Sequence, residues 1–146
     1  MFLIAYILLP AFWAGLLIGV SFIATPAKFL APSLARPVAL DVGRVTFTIW
    51  NDVEWLVLAM LVPPLVFGPP DRFTAVAALV LGLLLFIQSM VLLPTLNARV
   101  SVIQAGKRPA VSPDHGTYIA IDGLKLLILA AIVWRQGLQI VEHLPR

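Results

Sequence analysis

Four long apolar runs make up most of the chain, and the places where polar residues interrupt them define its elements. Residues 1–27 carry no charge, and neither do residues 73–98. Each exceeds the ~20 residues that a helix needs to cross a hydrocarbon core. The second run, "VALDVGRVTFTIWNDVEWLVLAMLV", lies between Pro37 and Pro63-Pro64 and has Asn51, Asp52 and Glu54 near its middle. The paired prolines are expected to close it, because proline cannot continue a helix interior. The third run is expected to reach Ala105, with Gly106 as its stop and with Pro94 kinking it or loosening its backbone bonding. The fourth begins at "SPDHGTY", where Ser112 suits an N-cap, Pro113 the first helical position and Asp114 the positive end of the dipole. Only Leu126 to Trp134 separate Lys125 from Arg135, so this span places Asp122 and Lys125 at its midpoint. A frame running on through "QGLQIV" would bury Arg135 instead. The expected spans are about 2–27, 38–62, 72–105 and 113–135, forming one transmembrane domain over residues 1–146.

Polar positions within these spans fall into stripes. At about 100° per residue, His115, Tyr118, Asp122 and Lys125 lie within ~80° of one another. In span two Asp41, Arg44, Thr48, Asn51 and Asp52 share a face with Trp55, and Glu54 lies off it. Gln88, Thr95 and Arg99 align in span three, and Thr25 aligns with Lys28 at the end of span one. A charge facing lipid at mid-depth costs a few kcal/mol or more, so these stripes should turn inward. In an all-α, antiparallel up-down four-helix bundle they meet in one half and form a polar pocket. The other half should pack drily, with Gly15 and Gly19 allowing close helix contact.

Composition strengthens this reading. The chain is 61% hydrophobic and 12% charged, against about half and a quarter in soluble domains. Its partner is the lipid bilayer, and a homo-oligomer or a larger membrane complex is compatible with it. The net charge of +3 and the lack of a long basic run give nucleic-acid binding no support. There is no cysteine, which excludes disulfides and thiolate chemistry. Lys28, Arg36, Arg44, Arg99, Lys107 and Arg108 flank one side, against Arg72, Arg135 and Arg146 on the other. The bias puts the pocket on the cytoplasmic side of a bacterial inner membrane, with both termini outside.

Candidate chemistry is acid-base and hydrogen bonding. There is no Glu-x-x-His spacing for a di-iron site. His115 and His143 stand at opposite ends, which disfavours a paired haem site. Zinc ligands, a phosphate loop and a nucleophile elbow are missing too, so no metal and no cofactor are expected. Histidine is the side-chain type whose ordinary charge change lies nearest neutrality; His115, Asp122 and Tyr118 are the candidate catalytic groups. Lys28, Arg44, Asn51, Asp52, Gln88, Asn97, Arg99 and Lys125 are the candidate ligand-binding groups. Simpler roles compete. Asp122 with Lys125, and Asp41 with Arg44, could be neutralising pairs three residues apart. Tyr118 could be an interface anchor, and Glu54 could pair with a base on span one or three. Three function classes follow. The pocket could bind or conduct a small polar or anionic ligand. It could carry out acid-base chemistry on an amphiphilic substrate. It could instead only fix helix register in a structural or assembly subunit.

The stretches "GVSFIATPAKFLAPSL", "GRVTF" and "LLPTLNARV" resemble the small four-span families of unknown function DUF4149 and DUF1772. The latter includes anthrone-oxygenase-like proteins that work without metal or flavin, so the resemblance implies a four-span fold and allows cofactor-independent oxygenase activity. Pro94, Leu96 and Asn97 are the positions that carry over. Span four departs from the oxygenase-like pattern, having "DHGTYIAIDGLK" in place of a Trp/Asn-His-x-Arg cluster.

The charge bias of the loops has a direct test. Single cysteines at Ser33 and Ala110 should be shielded from an impermeant thiol reagent in intact cells, whereas one at Pro70 should react. The reverse labelling would put the polar end outside.

Overall fold

The computed structural model describes residues 2–68 and 70–142. These form a bundle of four helices, α1 (Phe2–Leu30), α2 (Arg36–Phe67), α3 (Arg72–Gln104) and α4 (Asp114–Glu142), each long and apolar enough to cross a membrane. His143 and Arg146 lie outside the described residues. α1 packs along α2 and α4, and α3 closes the bundle against the same two helices.

A repeating alternation of three and four residues selects the buried seams. In α4 the seam is Tyr118, Asp122, Lys125, Leu129, Ile132 and Gln136, and in α1 it is Tyr6, Pro10, Trp13 and Leu17. α3 contributes Thr74, Ala78, Leu81, Leu85, Gln88 and Leu92, and the second half of α2 contributes Trp50, Glu54, Val57, Leu61 and Pro64. This 3.5-residue period is that of left-handed bundles with knobs-into-holes packing. Trp13, Leu17, Trp50, Val57, Leu81, Leu85, Leu129 and Ile132 make up most of the main apolar core. The outer faces show Ile4, Leu8, Leu56, Leu79, Leu83 and Leu127 instead, as a lipid-facing surface would.

The helix ends follow the local chemistry. Gly106 takes φ 74°, and the bonds from Gly106 N–H to Ile103 O and from Lys107 N–H to Val102 O complete a Schellman stop for α3. Ser112 Oγ accepts from Asp114 N–H at 3.1 Å where α4 begins. α1 and α3 widen into a π-helical turn ahead of a proline, at Ile18–Ala24 before Pro26 and at Gln88–Leu92 before Pro94. Proline has no N–H to give, and its ring crowds the carbonyl four residues back. An extra residue in the preceding turn relieves both problems. Pro94 thus loosens the helix as expected.

Some expectations need correction. α2 continues through Pro63-Pro64 to Phe67. The prolines forgo their own N–H bonds, but the Pro64 carbonyl is still used by Tyr6 Oη at 2.6 Å and by Gly68 N–H at 2.8 Å, so the helix end stays bonded. A side chain added at Gly15 or Gly19 would meet nothing within 4 Å, so neither glycine mediates close packing. α4 continues past residue 135 to Glu142 without burying Arg135, whose side chain is half exposed. The half expected to pack drily contains a buried polar latch. Asp71 caps α3 through Thr74 N–H at 3.1 Å and accepts from Gln136 at 2.6 Å and Arg135 at 3.2 Å. Gln136 also donates to Thr74 Oγ1 at 2.7 Å. The latch ties the far end of α4 to the turn between α2 and α3.

Burial alone would raise the Asp71 carboxyl, but the bonds from Thr74, the Arg135 charge and Gln136 outweigh it and hold the group below the ordinary aspartate range. A carboxyl lowered by folding stabilises the fold above its unfolded value, about 4, and that contribution is lost as the pH falls through the folded value. Asp71→Ala should therefore cost about 0.5–2 kcal/mol at neutral pH, the usual worth of an N-cap. Thermal unfolding in detergent checks this, and the gap between the variant and the wild type should close in acid.

Candidate functional site

The bundle holds two polar assemblies, one open and one closed. The outer one is an open cavity of about 270 Å³. Lys28, Arg36, Arg44, Arg99 and His115 line it together with Thr25, Asn97 and Tyr118, and Phe29, Phe47, Leu93 and Leu96 are among its apolar walls. No carboxylate lines it. Glycine at position 43 leaves room for the Lys28 head, since a Cβ there would collide with its ammonium. That ammonium has no acidic partner among the described residues and rests over the rings of Phe29 and Phe47, at 5.2 and 5.7 Å from their centroids. Arg99 reaches over to donate to Ala110 O at 2.6 Å, holding the α3–α4 connection against the cavity. Arg44 is paired with Asp41 at 2.6 Å, the neutralising pair that three-residue spacing allows.

The inner assembly is closed. Lys125 Nζ lies 2.5 Å from Glu54 Oε1 and 3.1 Å from Asp122 Oδ1, and all three side chains are at most 1% exposed. Trp13 Nε1 donates to Glu54 Oε1 at 2.9 Å, so α1, α2 and α4 meet at this carboxylate. From α3, Gln88 Nε2 donates to Asp122 Oδ1 at 2.8 Å and to the Tyr118 carbonyl at 3.2 Å. Beside it, Ser89 Oγ lies 2.5 Å from Asn51 Oδ1 and accepts from Trp55 at 2.9 Å. The π-helical turn contains both Gln88 and Ser89, and it offers their side chains to the interior together. Tyr118 separates the two assemblies. Its ring packs edge-on to Phe47 with centroids 5.1 Å apart, and its buried hydroxyl has no partner.

The candidate residues therefore divide. Lys28, Arg44, Asn97, Arg99, His115 and Tyr118 line the cavity, with His115 exposed at its mouth. Gln88, Asp122 and Lys125 belong to the closed cluster, and Asn51 to the Ser89 set alongside. Asp52 joins neither. It is exposed on the outer face of α2, because the face it shares with Thr48 lies about half a turn from the buried seam. Glu54, placed off the polar stripe, stands on that seam, and the base it pairs with is on span four, not on span one or three. The sequence reading also missed Arg36, Trp13 and Ser89. The apolar seam of α2 carried the signal for Glu54, since Trp50, Val57 and Leu61 flank it at helical spacing. Among the described residues no group of His, Cys, Asp and Glu could hold a metal ion.

Comparison with protein families, curated proteins and solved structures yields no match to this chain.

Removing one partner of a buried ion pair leaves an uncompensated charge and costs up to about 3–5 kcal/mol. Lys125→Met should approach that loss, and adding both Glu54→Gln and Asp122→Asn to the same chain should recover most of it. Chemical unfolding in detergent, followed by tryptophan fluorescence, reads both. A Lys125→Met protein as stable as the wild type would mean that Lys125 does not hold the cluster together.

Proposed function

We propose that the chain is a multi-pass protein of a bacterial inner membrane that receives a small anionic ligand, or the anionic head of an amphiphile, in its cytoplasm-facing cavity. The observation that carries this reading is the cavity lining, which brings basic side chains from all four helices together without a single carboxylate. Lys28 is a free positive charge on an aromatic shelf, and guanidinium groups bind planar carboxylate or phosphate oxygens in a fork. The leucine and phenylalanine walls suit a short apolar body attached to the anion. An up-down topology is supported by the contacts of Tyr6 with Pro64 and of Trp13 with Glu54, which join early α1 to late α2. It puts the basic residues at one membrane face.

A second reading, acid-base catalysis on such an amphiphile, has a specific observation behind it. His115 stands at the cavity mouth and Tyr118 lines the interior wall, so a bound molecule would meet both. Turnover would require His115, whereas simple binding depends on the cationic lining.

The test uses purified protein and native mass spectrometry with phosphatidylglycerol, phosphatidylcholine and octanoate. Retention of phosphatidylglycerol over phosphatidylcholine is expected, and competition by octanoate would show that the anion, not the lipid as a whole, is recognised. Lys28→Gln with Arg99→Gln should weaken anion retention at least tenfold, since hydrogen bonds to charged groups are worth about 1.5–3 kcal/mol each. Gly43→Ala should fold and yet weaken retention, because its methyl group displaces only the flexible Lys28 head. Equal retention of zwitterionic and anionic lipid by the wild type would sink the proposal.

A further inference from the structure

The closed cluster contains one charge too many. Glu54 and Asp122 are two carboxylates, Lys125 is one ammonium, and none of the three reaches solvent. The groups that face them from the neighbouring helices add no charge. α1 presents Trp13, α3 presents Gln88, and α4 presents Tyr118 one turn from Asp122. Lys28, Arg44, Arg99 and His115 surround the cavity instead, and Arg135 is held by Asp71 at the opposite end. Leaving a net negative charge in a low-dielectric interior costs several kcal/mol. Two carboxylates that share one site avoid that cost when one of them keeps a proton.

Hydrogen-bond accounting points the same way. Among the described residues, Glu54 Oε2, Asp122 Oδ2 and Gln88 Oε1 are buried acceptors with no donor, and the Tyr118 hydroxyl is a buried donor with no acceptor. Unmade buried bonds of this kind are expensive. A carboxyl O–H supplies the missing donor and removes the surplus charge in one step.

We infer that Glu54 and Asp122 together hold one exchangeable proton against Lys125, making the core of the bundle a proton-binding site. Tyr118 stands between the cavity and the cluster: it lines the cavity, and its backbone carbonyl shares Gln88 with Asp122. Loading transfers a proton from cavity water to a carboxylate oxygen, and unloading reverses it; no other bond changes. The inference stands whether or not the cavity takes an anion, because it rests on the closed cluster alone.

Infrared spectroscopy of the full chain in lipid nanodiscs at neutral pH tests it. The wild type should show the C=O stretch of a protonated carboxyl, and that band should shift when H2O is exchanged for D2O. Asp122→Asn and Glu54→Gln should each abolish the band, since the remaining carboxylate then matches Lys125. Lys125→Met should roughly double it, and His115→Gln should leave it unchanged. Should one single variant fail to fold, the other still decides. Absence of the band in the wild type overturns the inference, as does a band that ignores D2O or survives both single variants. Stabilisation by sodium chloride but not choline chloride, with no band, would assign the surplus charge to a metal cation and overturn it as well.

Discussion

An ammonium buried among apolar helices must find an anion, and Lys125 finds two. Its bonds to Glu54 and Asp122 join α2 to α4, Trp13 brings in α1 and Gln88 brings in α3. Every helix therefore contributes a polar group to one layer, and that layer sets the register of all four seams. A slide of one turn along α2 would put Trp50 or Val57 in place of Glu54, and one along α3 would put Leu85 or Leu92 in place of Gln88. The apolar layers on either side tolerate such a slide much better, since one aliphatic side chain packs about as well as another of similar volume. The charged layer supplies specificity where hydrophobic packing supplies only cohesion.

That layer also divides the polar half of the molecule. Outside it, the basic cavity is open; inside it, the acidic cluster is sealed and sets two carboxyl groups against one ammonium. Tyr118 is the partition, in contact with Phe47 on the cavity side and one turn from Asp122 on the other. The proline-induced π-helical turn of α3 makes this arrangement possible, because it brings Gln88 and Ser89 inward at the same depth. A regular helix would turn adjacent residues about 100° apart and bury only one of them well.

The four helices were legible from the apolar runs, and their ends from Ser112 and Gly106, since both signals are local. The interior was legible only in part. Grouping polar residues by helical angle brought Asp122 and Lys125 together correctly, because on α4 the polar stripe is also the buried seam. On α2 the two differ. Asp41, Arg44 and Thr48 lie in the first half of the helix at exposed or half-exposed positions, and they pull the apparent polar face away from Glu54. The alternation of three and four residues through Trp50, Val57 and Leu61 marks the true seam, and Glu54 sits on it as the polar exception. Asp71 and Gln136 were missed for another reason. Their contact spans more than sixty residues, and neither residue is unusual in its own neighbourhood.

The closures along the bundle bear on what the cavity can do. A ligand that passes through would have to displace Tyr118, break the Glu54–Lys125–Asp122 cluster, thread the core around Leu81, Leu85 and Leu129, and open the Asp71 latch. Each barrier is a packed or bonded structure contributed by several helices. A ligand that binds and leaves at the basic end needs none of them to move. A proton needs no passage of ligand width, and only Tyr118 stands between the cavity and the cluster. Anion capture at one face with proton exchange behind it uses the bundle as it is built, whereas conduction of anything larger requires a second conformation.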